Sequence, residues 1–119
     1  NRLVVDGGHN ISSSYVIADW IKSQTQKVNL VVAMMKDKEH QEFMKSFEGL
    51  VNSITIIDIP NQDGGISKKE LKEKISNLNF TLKISDSIDS AIRSNSKDIN
   101  AITLVCGSLY LIGEVLNLN

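Results

Sequence analysis

The stretch Asp6-Gly7-Gly8-His9-Asn10 sets a carboxylate, an imidazole and a carboxamide around two glycines, directly after the apolar run Leu3-Val4-Val5. Glycines at such a turn permit a positive φ or a close backbone approach to a ligand, and a helix starting just beyond offers free N–H donors to an anion. Asp6 suits the paired hydroxyls of a vicinal diol such as a ribose. His9 and Asn10 carry donors that suit a carboxylate or a phosphate. Two more polar stretches follow apolar runs: Met35-Lys36-Asp37-Lys38, where Lys38 brings a compact positive charge of the same use, and Gly107-Ser108.

Each of these residues also has an ordinary structural explanation. Asp6 or Asn10 serves equally well as the cap of the following helix, as does any of Ser12, Ser13 and Ser14. Lys36-Asp37-Lys38-Glu39 in isolation reads as a solvated turn. Ser108 is the expected N-cap of the last helix, Met34 and Met35 are expected core and strand end, and Cys106 is expected to be a buried, inert thiol. His9 alone reads as a structural histidine, and His40 has no evident partner.

What must position these groups is an alternation of β-rich runs and amphipathic segments. Strands are predicted near Arg2 to Asp6, Val28 to Met34, Ser53 to Ile59, Phe80 to Ile84 and Ala101 to Cys106, mostly as continuous Val, Ile and Leu runs typical of strands buried on both faces. Helices are predicted over Ser12 to Thr25, with Val16, Ile17, Trp20 and Ile21 facing inward, and over Lys38 to Val51. A third covers Ser67 to Leu78, with Ser67 and Glu70 as a capping box and Leu71, Ile75 and Leu78 as the buried stripe. The last two cover Ser87 to Ser94 and Ser108 to Leu116. Five such alternations predict a Rossmann-like, doubly wound α/β fold: a mostly parallel sheet of five or six strands with right-handed crossovers and helices on both faces. In such a sheet, ligands bind beyond the carboxyl ends of the strands, where all three polar stretches fall. The clearest surface loop is Asn61-Gln62-Asp63-Gly64-Gly65, after Pro60.

Composition removes several classes of function. The 119 residues, 41% hydrophobic and 23% charged with one proline, fit a single soluble domain. A net charge of −1 leaves no basic footprint for nucleic acid, and Lys68-Lys69 and Lys72-Lys74, interleaved with Glu70 and Glu73, read as a solvated helix face. The lone Cys106 fits a reducing compartment, no positively charged n-region with an apolar h-region opens the sequence, and no apolar run approaches the ~20 residues that span a bilayer. A cytoplasmic protein is expected. Asp6, His9 and Ser108 do not make a hydrolase triad, because Cys106-Gly107-Ser108-Leu109-Tyr110 lacks the G-x-S-x-G elbow. Gly7-Gly8 is not a dinucleotide fingerprint, no Walker A motif is present, and no metal-ligand cluster stands out. The chain reaches strand-like sequence by Leu3 with no initiator methionine, and is expected to be a piece of a longer protein.

Together the three strand-end stretches, the last continuing as Gly107-Ser108-Leu109-Tyr110-Leu111-Ile112-Gly113-Glu114-Val115, resemble the C-terminal domain of folylpolyglutamate synthase / dihydrofolate synthase, within the Mur ligase superfamily. The resemblance runs over essentially the whole chain. The family's first motif is usually D-G-A-H-N-P; Gly8 replaces the alanine and Ile11 the proline, which loosens the helix start. The resemblance implies a ligase of folate biosynthesis and one-carbon metabolism that uses ATP to phosphorylate a pteroate or folate carboxylate, so that the amine of L-glutamate displaces phosphate and forms an amide. It implies an ATPase domain earlier in the same chain that carries the P-loop and the ligands of Mg2+, with the present domain inactive alone and without a catalytic group or metal site of its own. It further implies that Asp6 holds the ribose of ATP and that His9, Lys38 and Ser108 hold glutamate. Gly7, Gly8, Asn10, Lys36, Asp37, Gly107 and Tyr110 would be supporting residues, and a monomer is expected. Two alternatives stay open: another Mur-type ligase acting on a peptidoglycan precursor, and a free-standing α/β module that binds a small anion.

Overall fold

The apolar runs become five strands in the computed structural model, which describes residues 1–118. They are β1 (Arg2–Val5), β2 (Val28–Val32), β3 (Ser53–Ile56), β4 (Leu82–Ile84) and β5 (Ile102–Cys106), separated and followed by α1 (Ile11–Lys22), α2 (His40–Lys45), α3 (Lys68–Lys74), α4 (Ile88–Ser96) and α5 (Leu109–Leu116). All pairings are parallel, in the order β1-β5-β2-β3-β4, with Leu30 opposite both Leu104 and Ile54.

Every residue of β2, β3 and β5 is buried, because both faces are covered. On one face Leu30, Val32, Ile54, Ile56 and Leu104 pack under Ile17, Ile21, Phe43, Met44 and Leu71 of α1, α2 and α3. On the other, Val31, Ile57 and Val105 pack under Ile88, Ala91, Leu111 and Val115 of α4 and α5. The split follows from chain direction. The crossovers through α1, α2 and α3 run one way along the sheet and α4 returns the other way, so right-handed connections place them on opposite faces. Each buried Leu, Ile or Phe is worth about 1.5–3 kcal/mol, against roughly 0–1 for an exposed ion pair, so this two-sided core and not the surface charge holds the fold.

Several elements are shorter than their apolar runs. β2 ends at Val32 and β3 at Ile56, although Ala33, Met34, Ile57 and Ile59 remain buried beyond the ladder. Helix α2 stops at Lys45, and the chain then turns through Gly49 at φ 76°, while Phe47 still meets Phe43 edge-on at 5.4 Å. The inner arc of α1 is Ser14, Ile17, Ala18 and Ile21; Val16 is 68% exposed and Trp20 half-buried, contrary to the predicted stripe. Buried Ser14 is tolerable there because its hydroxyl donates to Ile11 O at 2.6 Å and meets Ser46 Oγ at 2.8 Å.

Ser67 caps α3 by accepting from Glu70 N, the backbone half of the expected box. Leu71 and Ile75 are buried as expected, with Ile75 just past the helix end. Lys68 is not a solvated lysine: its side chain is 19% exposed, donates to Ser85 O, and stands 3.9 Å from Asp58 and 3.5 Å from Asp86, tying the ends of β3 and β4 together.

Candidate functional site

The site begins with the way the chain leaves β1, β5 and β2. α5 departs to one face of the sheet while α1 and α2 lie on the other, so the loops after these neighbouring strands part and open a crevice above the strand ends. A cleft of about 440 Å³ lies there, lined by His9, Met35, Asp37, Lys38, Gly107, Ser108, Leu109 and Tyr110. It adjoins a hollow of about 270 Å³ bounded by His9, Asn10, Ile11, Asp37, Lys38 and Glu39. The structure therefore brings His9, Lys38 and Ser108 to one place from three strand ends.

The first turn is held by its own polar groups. Gly8 N donates to Asp6 Oδ1 at 2.7 Å, Asp6 N to Val105 O at 2.9 Å, and Gly107 N to Gly8 O at 3.2 Å, which binds the β1 turn to the β5 turn. Asn10 caps α1 in a reciprocal box, its Oδ1 accepting from Ser13 N at 2.8 Å while Ser13 Oγ accepts from Asn10 N at 3.0 Å. That box fixes the start of α1 although Ile11 stands at its first position, and it settles Asn10 as the cap rather than Asp6 or the serines.

Neither Gly7 nor Gly8 uses a positive φ; close approach is their use. A Cβ on Gly7 would run into the Leu109 side chain, and one on Gly8 would lie 2.8 Å from Ser13 Cβ and 2.9 Å from Asp6 Oδ1.

Gly107 has both constraints. Its φ is 107°, and a Cβ would collide with the Ala33 carbonyl and lie 2.9 Å from Val32 Cγ2. Ser108, 2% exposed, accepts from Tyr110 N at 3.2 Å as the cap of α5; it lines the cleft, and among the described residues its own O–H has no acceptor. Met35 and Leu109 add an apolar side to the cleft that the polar motifs alone do not announce. Among the described residues, the ion pairs are Lys27–Asp98, Lys68 with Asp58 and Asp86, and Arg93–Asp89, so Asp37 and Lys38 are unpaired.

Two predicted residues lie elsewhere. Asp6 borders a separate hollow of about 170 Å³ with Val4, Val16, Ile17, Trp20 and Leu104. Lys36 faces a third, of about 340 Å³, with Asp58, Gln62 and Glu70, so Lys38 alone of the two lysines belongs to the cleft. His40 has a partner after all: 5% exposed, it bonds through Nε2 to Met35 O at 2.8 Å. Cys106 is fully buried, its thiol pushed up to about 12 by desolvation and, secondarily, by the charge of Asp6. Among the described residues no three His, Cys, Asp or Glu side chains gather to hold a metal ion, and Asp6 and Asp37 in separate hollows do not form an oxygen cage for a magnesium ion.

Residues 1–118 match the family described as dihydrofolate synthetase, C-terminal domain. The chain belongs to this family. The dihydrofolate synthetase C-terminal domain fold is also that of solved structures at low identity. A Mycobacterium tuberculosis folylpolyglutamate synthase complexed with ADP superposes with a TM-score of 0.88 at 12% identity, over 98% of this chain and 29% of that one. A Yersinia pestis bifunctional folylpolyglutamate synthase/dihydrofolate synthase with AMPPNP and Mn gives 0.84 at 20%, over 97% and 28%. A bifunctional enzyme of the same description with Mn, AMPPNP and L-glutamate bound gives 0.80 at 21%, over 97% and 28%. The present dihydrofolate synthetase C-terminal domain thus spans under a third of the length of these structures. No curated protein matches the chain.

Proposed function

We propose that this chain is the C-terminal, glutamate-ligase domain of a longer ATP-dependent enzyme that joins L-glutamate to dihydropteroate or folate. The observation that carries the reading is the convergence of His9, Lys38 and Ser108 on one cleft, where Lys38 has no ion-pair partner among the described residues. An imidazole, an ammonium and a free hydroxyl proton are the donors a carboxylate requires, and charge-assisted bonds to it are the stronger kind. Glutamate would lie with a carboxylate toward Lys38, His9 and Ser108 Oγ, its chain along Met35, Leu109 and Tyr110. Asp6 would take the ribose hydroxyls of ATP in its own hollow beside Trp20. The described structures with ADP, with AMPPNP and Mn, and with L-glutamate support this assignment of ligands.

ATP supplies the phosphoryl group that activates the pteroate or folate carboxylate. The residues of this chain bind, orient and exclude water, and catalysis by them is positioning across an interface that closes. The P-loop and the Mg2+ ligands belong to the remainder of the enzyme, so the domain alone forms no amide bond. In this reading the full enzyme is a cytoplasmic monomer. The apolar wall of Met35 and Leu109 beside Lys38 favours a small amino acid over a bare inorganic anion, which distinguishes the ligase from a free-standing anion sensor.

In the full-length enzyme assayed with dihydropteroate, Lys38→Ala and Ser108→Ala are expected to raise the KM for L-glutamate about tenfold or more, as loss of a bond to a charged group worth roughly 1.5–3 kcal/mol implies. Unchanged glutamate KM in both, with intact folding, refutes the site.

A further inference from the structure

The turn that carries Lys38 is gripped from two sides. From the 60–66 loop, Gly64 O accepts from Lys36 N at 2.8 Å, Met35 bridges Gly65, and Ile66 N donates to Met34 O at 2.9 Å. From within, His40 Nε2 reaches back to Met35 O at 2.8 Å. A carbonyl only accepts, so Nε2 carries the proton and the ring donates. The ring is 5% exposed, and the loop it closes contains Asp37 and Lys38. No other cap does this work at the start of α2, because Glu39 at the N-cap makes no side-chain bond to the helix. Lys38 has no bond or ion pair of its own among the described residues, so its direction is set by the backbone beneath it.

We propose that His40 is a positioning residue for amino-acid binding: its Nε2–H bond to the Met35 carbonyl sets the Met35–His40 turn so that Lys38 faces the cleft. The inference rests on the glutamate reading of that cleft. It assigns to His40 no contact with substrate and no proton transfer. Its effect falls on the affinity for the amino acid and leaves the Asp6 hollow, on the β1 side of α1, untouched.

The test uses the full-length enzyme with His40→Gln, whose amide nitrogen reaches about as far as Nε2, and His40→Asn, which falls short. His40→Asn is expected to raise the KM for L-glutamate about five- to tenfold with the KM for ATP unchanged, the cost of one lost bond of roughly 1 kcal/mol, whereas His40→Gln stays within about twofold of wild type. Added to Lys38→Ala, His40→Asn should change the glutamate KM no further, since both act through one ammonium. If Lys38→Ala raises the glutamate KM but His40→Asn does not, the His40 inference fails and the cleft reading survives. If Lys38→Ala is itself silent, the cleft reading fails and takes the inference with it. Equal rises in both KM values for His40→Asn mark a general loss of structure and overturn the proposal. Should His40→Asn not fold, His40→Gln decides: a wild-type glutamate KM supports the role of the donor, and a raised one contradicts it.

Discussion

At the scale of single residues, the geometry makes Gly107 the least replaceable position near the site. Gly107→Ala must adopt a φ costly for an L-residue and force the Ala33 carbonyl aside, so a loss of about 2 kcal/mol or more is expected in urea unfolding; a loss below about 0.5 contradicts the assignment. Cys106 behaves oppositely to a reactive thiol. With its pKa raised to about 12 by burial, it should resist alkylation in the native state at pH 8 and react at once in denaturant. The folded state holds this proton more tightly than the unfolded state does, so the thiol's contribution to stability is complete below the ordinary value near 9 and disappears as pH rises toward 12. The gathering of His9, Lys38 and Ser108 at the carboxyl edge of the sheet was legible from residue type and strand-end position. The roles of His40 and Gly107 were not, because one depends on a backbone carbonyl turned inward and the other on how closely two strands run, and neither leaves a mark in a string of side chains.

At the scale of elements, the site depends on where helices start. Asn10→Ala removes one half of the α1 capping box and should cost about 1 kcal/mol, with Asn10→Ser recovering most of it because a hydroxyl still reaches Ser13 N. Loss of the same stability in both variants would place the contribution of Asn10 elsewhere. Alternation of strands and helices was readable from apolar runs and caps, and all five strands fall inside their predicted ranges. Their ends were less readable. Met34 and Ile57 stay in the core after the hydrogen-bonded ladder has stopped, and hydrophobicity reports burial, not pairing. The inner face of α1 differs from the predicted stripe for a related reason: Ser14 and Ala18 are small enough to sit beneath the helix, whereas Val16, apolar and at helical spacing, faces outward.

At the scale of the whole molecule, strand order is what turns three separate motifs into one site. The order β1-β5-β2 brings the last strand between the first and second, so Gly107 N of the last turn donates to Gly8 O of the first. The sequence placed all three stretches at one edge of the sheet but could not separate them laterally. The structure does so, with His9, Lys38 and Ser108 on one cleft and Asp6 on another hollow, though Asp6 and His9 are three residues apart. In the proposed function these two openings hold different ligands, L-glutamate in the cleft and the ribose of ATP beside Asp6. Steady-state kinetics of His9→Ala and Asp6→Asn in the full-length enzyme separate the two. His9→Ala should raise the KM for L-glutamate about tenfold and leave that for ATP unchanged, while Asp6→Asn should do the reverse; a single variant that raises both constants equally, or effects crossed between the two, would contradict that assignment.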